Sequence, residues 1–203
     1  MKVFTKAVAS GIMICLGVTV YLSVSNKIIG ALLFSIALFA ICSFGMNLFT
    51  GKIGYILQTK NNPNCLIIWL GNFVGTVAAS ALVRIAKPGL AETAKTLMEN
   101  KLQNNWLSIA ILSLFCGILM YLAVENYASN SSSTGKIVGI FLCITVFILS
   151  GFEHSIANMG YATFAVSSLS DAGRYLVFII VVSVFNGIGS ILLHNLNLYN
   201  KKQ

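Results

Sequence analysis

The 203-residue chain is 57% apolar and 9% charged, with thirteen Lys and Arg against five Asp and Glu and a net charge of +8. An average soluble domain has about 25% charged residues, so a water-facing surface cannot be built from this composition and the chain takes lipid as its solvent. The basic balance does not indicate nucleic acid, because the cations sit mostly at the ends of apolar runs, where they snorkel to an interface, and no basic run carries the interleaved aromatics of a stacking platform.

Six apolar runs approach or exceed the roughly 20 residues that cross a bilayer: 3–24, 28–57, 66–86, 106–124, 136–166 and 172–194. The first is too long for a cleaved signal peptide and lacks a small-residue cleavage site. Six crossings place both termini on one side. Lys2, Lys6, Lys60, Lys136, Lys201 and Lys202 then face Lys27, Arg84, Lys87, Lys95, Lys101 and Arg174 across the membrane, and this even split leaves orientation undecided.

The second and fifth runs are too long for one straight crossing, and each is interrupted. The second breaks over Gly45-Met46-Asn47-Leu48-Phe49-Thr50-Gly51-Lys52, the fifth over Gly151-Phe152-Glu153-His154. Irregular backbone at membrane depth survives only where it is buried in protein or lines a cavity. The third segments also match, Asn72-Phe73-Val74-Gly75-Thr76 against Asn186-Gly187-Ile188-Gly189-Ser190. Because each half has three segments, the second copy is inverted, an architecture that brings paired broken helices together near the midplane. The expected fold is an all-α membrane protein: one transmembrane channel domain over 1–203, six helices in two inverted repeats (about 1–86 and 106–194), the second and fifth helices broken. The connector Lys87–Asn105 is amphipathic through Leu90, Ala94, Leu97 and Met98 and reads as an interfacial cap opposite the termini.

Glu153, His154 and Asn158 lie inside an otherwise apolar run. Each costs several kcal/mol in hydrocarbon unless it faces protein or water, so the default reading is a transport or proton-relay site. An imidazole with a reference pKa near 6.5 exchanges protons close to neutrality. If the helix continued, Glu153 would point about 100° away from His154; it is expected to satisfy freed backbone N–H groups or to bond a neighbouring helix. Asn158 and Thr50 read equally as backbone partners or pore groups. Lys52, just past the second-run break, reads either as snorkelling to an interface or as lining a vestibule, and Lys6, Lys27 and Arg84 as mouth cations. His194 reads as interfacial. The five cysteines (Cys15, Cys42, Cys65, Cys116, Cys143) form no CxxC pair and read as packing residues, with neither metal nor disulfide. An embedded enzyme would want a nucleophile–base pair or a metal motif such as HExxH, which the chain lacks. A neutral-solute channel of the aquaporin type would want paired Asn-Pro-Ala signatures, whereas the only prolines are Pro63 and Pro88. No cofactor is expected.

The stretch Gly151–Met159, with Asn47-Leu48-Phe49-Thr50-Gly51 in the other break, closely resembles the formate/nitrite transporter family of formate, nitrite and hydrosulfide channels. Ala9-Ser10-Gly11 to Leu16-Gly17 and Leu119-Met120-Tyr121-Leu122-Ala123-Val124 fit it as well. The resemblance implies an aquaporin-like protomer with its own pore, in a homopentamer of the bacterial inner membrane with cytoplasmic termini. It further implies a central histidine at His154, apolar constrictions at Phe147, Leu38, Leu48 and Phe49, and a nearby hydroxyl at Thr50. An asparagine that many members place near the histidine aligns with Gly117, after Cys116. A polar partner of the imidazole is therefore expected to be missing, so that beside formate or nitrite a hydrosulfide-type or other subfamily enters the substrate expectation.

Overall fold

A computed structural model describes residues 1–58 and 63–200. Lys60, Lys201 and Lys202, assigned above to the terminal side, lie outside the described residues. The described chain is all-helical: α1 (Lys2–Ser23), α2 (Lys27–Ser43), α3 (Phe49–Lys52) continuing as a 3-10 turn (Ile53–Tyr55), α4 (Cys65–Ala86), α5 (Leu90–Leu102), α6 (Trp106–Ser129), α7 (Ser133–Leu149), α8 (Ser155–Ala165) and α9 (Leu169–Asn200). Polar side chains set several starts. Asn26, Asn64, Asn105 and Ser132 each accept from backbone N–H groups in the first turn of α2, α4, α6 and α7, satisfying donors that a helix start leaves open.

Four helices, α1, α4, α6 and α9, are long and apolar enough to cross a membrane. α2 and α7 have 17 residues each, about 25 Å at 1.5 Å per residue, short of a hydrocarbon core of about 30 Å. Each is followed by a break and a shorter helix, so the second and fifth runs are interrupted where the sequence placed their polar residues.

Helix pairs α1/α4 and α6/α9 meet backbone to backbone. A methyl group on Gly75 would overlap the Val8 carbonyl, one on Gly117 the Asn186 carbonyl, and one on Gly189 the Leu114 carbonyl. Small residues at such crossings let apolar helices approach when no solvent drives them together. The amphipathic connector is α5, whose Ala94 and Met98 are fully buried, and it packs on α8. Arg84 is not at a mouth: its Nη1 donates to the carbonyls of Thr163 and Val166 at 3.1 and 2.7 Å, closing the C-terminus of α8.

Gly117→Val is expected to cost about 1–3 kcal/mol or more through overpacking and to lower the detergent melting temperature. Gly89→Ala, where an added Cβ meets nothing within 4 Å, is expected to leave it unchanged.

Candidate functional site

Both long breaks begin with the same turn. Gly45 and Gly151 have φ of +59° and +68°, the left-handed conformation that favours glycine. Met46 N–H donates to the Ile41 carbonyl and Phe152 N–H to the Phe147 carbonyl, each at 2.9 Å, the long hydrogen bond of a Schellman terminus. Three residues later the next helices start at Leu48 and His154, with φ, ψ of −103°, 128° and −105°, 115°.

Two buried asparagines hold these corners. Asn72 Oδ1 accepts from Phe49 N–H at 2.8 Å while its Nδ2 donates to the Ala7 and Asn47 carbonyls, both at 2.8 Å. Asn186 Oδ1 accepts from Ser155 N–H at 2.9 Å while its Nδ2 donates to the Ser113 and Glu153 carbonyls at 2.7 and 2.8 Å. Each amide thus joins the carbonyl before a break, the first helical N–H after it, and the helix that opens its half of the chain.

His154 is buried and has two hydrogen bonds. Nδ1 accepts from Ala157 N–H at 3.0 Å, capping α8, and Nε2 lies 2.8 Å from Thr50 Oγ1 on α3. With Nδ1 an acceptor, the proton of a neutral ring sits on Nε2 and points to the hydroxyl. The Phe147 ring stands 5.7 Å away, centroid to centroid. The expectation of a partnerless imidazole is therefore corrected. Thr50 supplies the polar contact from the other half, and no side chain could stand at Gly117, which packs against Asn186 backbone.

Beside the ring lies an ion pair. Lys101 Nζ is 2.6 Å from Glu153 Oε2, the side chains 15% and 2% exposed, and Asn158 Nδ2 donates to the same oxygen at 2.9 Å. The Lys101 ammonium also sits 5.9 Å over the Tyr161 ring. Glu153 thus bonds a neighbouring helix, as one of its expected roles had it. The freed backbone N–H groups go instead to Asn186 and His154. Asn158 and Thr50 side chains bond other side chains, not backbone, and Asn158 Oδ1 has no partner among the described residues.

Cavities run toward this centre from two sides. A 570 Å³ vestibule includes Lys27, Glu92 and Asn100 in its wall and shares Tyr21 and Leu97 with a 70 Å³ chamber lined by Lys101, His154, Asn158 and Phe147. Across the Thr50–His154 contact, a 130 Å³ chamber lined by Leu48, Gly51, Lys52 and Tyr127 shares Lys52 and Val124 with a second 570 Å³ vestibule that holds Asn47, Tyr55 and Glu125. Leu38, Leu48 and Phe147 are all buried. Phe49 lines neither chamber but an apolar groove with Trp69 and Ile180. Lys6 is exposed near Gly45. His194 is not interfacial: it is 2% exposed, with Nδ1 3.1 Å from Tyr121 Oη and Nε2 3.3 Å from Gln58 Nε2. Among the described residues no cluster of His, Cys, Asp and Glu could hold a metal.

The profile of the formate/nitrite transporters matches residues 1–199. The chain belongs to the formate/nitrite transporter family. It is similar to the formate channel FocB of Escherichia coli (26% identity over 189 residues, 82% of this chain and 67% of that protein). It also matches the formate channel FocA of Haemophilus influenzae (28% over 148 residues, 66% and 52%) and the nitrite transporter NirC of E. coli (31% over 150 residues, 68% and 55%). The chain thus spans about half to two thirds of the curated relatives' own lengths. In fold it superposes on a pentameric formate channel with formate bound at a TM-score of 0.81, with 24% identity over 99% of this chain and 96% of that one. These relatives are channels and transporters, not enzymes.

Within this family fold, sequence reasoning missed Lys101. It sits in a connector more than 50 residues from Glu153 along the chain, and its one signal was the amphipathic register that turns α5 onto α8.

Asn186→Ala orphans two carbonyls and one N–H, each worth about 1–3 kcal/mol when buried. At about 2–4 °C per kcal/mol for a chain of this length, thermal unfolding in detergent is expected to show a loss of at least about 6 °C. Lys101→Met leaves a buried carboxylate without its cation and is expected to cost about 3–5 kcal/mol. The double variant Lys101→Met/Glu153→Gln should recover most of that loss in the same assay.

Proposed function

We propose that the chain is a channel or transporter for small monovalent weak-acid anions, formate or nitrite first and hydrosulfide also within its chemistry. The observation that carries this reading is the Thr50–His154 contact, set between two chambers that each present a lysine. On this reading the whole chain, 1–203, is one aquaporin-like channel domain of two inverted three-helix repeats with six crossings. It assembles as a homopentamer in the bacterial inner membrane with cytoplasmic termini.

The physics favours a neutral species at the centre. A bare monovalent anion passing a dry ring of Leu38, Leu48 and Phe147 meets an idealised desolvation cost of the order of 20 kcal/mol. Protonating an anion whose acid has a pKa about three units below ambient pH costs roughly 4 kcal/mol. Crossing as the neutral acid is the cheaper route. Lys101, held and neutralised by Glu153 at 2.6 Å, offers its remaining ammonium hydrogens to an anion in the chamber beside His154. His154 Nε2–H then donates to Thr50 Oγ1, which leaves the threonine hydroxyl hydrogen to face the substrate oxygen; the proton that neutralises the anion enters from water, and the imidazole–hydroxyl pair, itself staying neutral, hydrogen-bonds the acid so formed. Asn158 Oδ1 is an acceptor that suits the O–H of a protonated acid and repels an anion.

Stopped-flow uptake of formate, nitrite and hydrosulfide into proteoliposomes at several pH values tests this reading. One or more of them is expected to enter quickly, faster at acid pH, with no glycerol permeation. His154→Ala is expected to change the pH dependence and Thr50→Val to lower the rate. Unchanged profiles in both variants would sink the role given to this pair. Glycerol flux without acid flux would favour a neutral-solute channel instead.

A further inference from the structure

The two halves share a backbone but not a charge plan. α2 and α7 have equal length and the same glycine turn, so Asn47, Leu48, Thr50 and Lys52 occupy the places that Glu153, His154, Ile156 and Asn158 hold in the second half. In the second half the cation comes from α5, and Lys101 is closed against Glu153 at 2.6 Å. In the first half the cation is carried by the break itself. Lys52 is half-buried and lines both the 130 Å³ chamber against Leu48 and the vestibule beyond it. Among the described residues Lys101–Glu153 is the one salt bridge, so no carboxylate there stands within 4 Å of the Lys52 ammonium.

The surrounding charges sharpen the contrast. The wider vestibule holds Lys52 and Glu125, whose carboxylate accepts from Tyr55 Oη at 2.7 Å and keeps its charge, whereas in the narrow chamber Lys52 is the only charged residue among the described residues that line it. Lys6 adds a second positive charge nearby, its Nζ 4.0 Å from where a Cβ on Gly45 would stand. On the opposite side Lys27, 5.4 Å from the Tyr21 ring centroid, shares its vestibule with Glu92, one charge of each sign.

We infer that Lys52 is the anion-capture residue of the terminal-side chamber, and that its freedom from a carboxylate makes the two entrances unequal, with monovalent anions half-saturating the pore at lower concentration from the terminal side. This inference rests on the anion permeation proposed above. An anion arriving from the opposite side meets an ammonium already neutralised by Glu153. One arriving from the terminal side meets, in the narrow chamber, a cation with no carboxylate within 4 Å among the described residues, whose attraction reaches over about one Debye length, about 8 Å at physiological salt. A passive pore has the same Vmax/KM in both directions, so the lower terminal-side KM is accompanied by a proportionally lower Vmax.

The test uses sealed membrane vesicles of both sidednesses from cells expressing the full chain, with orientation assigned by protease accessibility of an N-terminal tag. Initial uptake of labelled formate is measured against concentration. The native protein is expected to give a terminal-side KM about two- to fivefold below the opposite-side value, the range for one solvent-accessible ion pair. Lys52→Gln should bring the two values together, Lys52→Arg should keep them apart, and raised ionic strength should shrink the native difference. Equal KM values in the native protein, with formate flux present, overturn the inference and leave the channel reading standing; this needs no variant to fold. A difference that survives in Lys52→Gln also overturns it. Absence of formate, nitrite and hydrosulfide flux alike overturns the channel reading and the inference together.

Discussion

A chain that leaves helical geometry inside an apolar medium must give every freed N–H and C=O a partner, and here two buried asparagines meet that demand. Asn72 and Asn186 each use all three strong positions of a carboxamide, one acceptor and two donors, on backbone groups of three different segments. Nothing shorter than an asparagine reaches all three, and nothing purely accepting or purely donating matches the pattern. The glycine contacts of α1 with α4 and of α6 with α9 follow from the same constraint. Asn72 and Asn186 sit on α4 and α9, and they reach carbonyls of α1 and α6 only because the backbones at Gly75 and Gly117 touch.

Identical corners are then dressed with different chemistry. Leu48 and His154 have nearly the same φ and ψ, but leucine offers no cap, so the start of α3 leans on Asn72 alone, whereas His154 caps its own helix through Nδ1. That cap fixes the ring's orientation and commits one nitrogen, leaving Nε2 as the face turned to Thr50. Thr50 in turn is held from α9: Ser190 Oγ lies 3.3 Å from its carbonyl and 2.9 Å from that of Gly117, sharing one proton between them. The central contact therefore exists only when both halves are folded, because each contributes one partner and each partner is positioned by an element of its own half and one of the other.

Much of this was legible in the sequence because the signals were local. A glycine, a polar residue and a resumption of apolar run mark both breaks. His154 caps α8 through Nδ1 and faces Thr50 through Nε2, because an imidazole has two nitrogens to divide between partners. What sequence could not give were contacts made at long range. Lys101 reaches Glu153 from a connector, Arg84 turns from a presumed mouth to the end of α8, and His194 lies under Tyr121 instead of at an interface. In each case the side chain is long or flat enough to cross from its own helix to a neighbour, and hydropathy along the chain carries no information about which neighbour that is. The partner of the imidazole was sought on α6 by alignment. It came from α3, because Gly117 is occupied by a helix crossing.

The buried ion pair has a further consequence for the fold. Two charges withdrawn into an apolar surrounding seldom repay their desolvation, so the Lys101–Glu153 pair is weak as an explanation of stability. It is stronger as an explanation of register. Glu153 is the residue just before the capping histidine, its carbonyl is held by Asn186 and its carboxylate by Asn158 and Lys101. Sliding α5 along α8 by even one turn would strand both charges. The pair thus fixes where α5 sits over the break, and with it where Leu97 stands, across from Tyr21 of α1, between the wide vestibule and the small chamber beside His154. Among the described residues the chamber lined by Lys52 has no such ion pair, and its cation belongs to the break itself. The difference in charge balance between the two chambers is therefore a by-product of how each half secures its own corner.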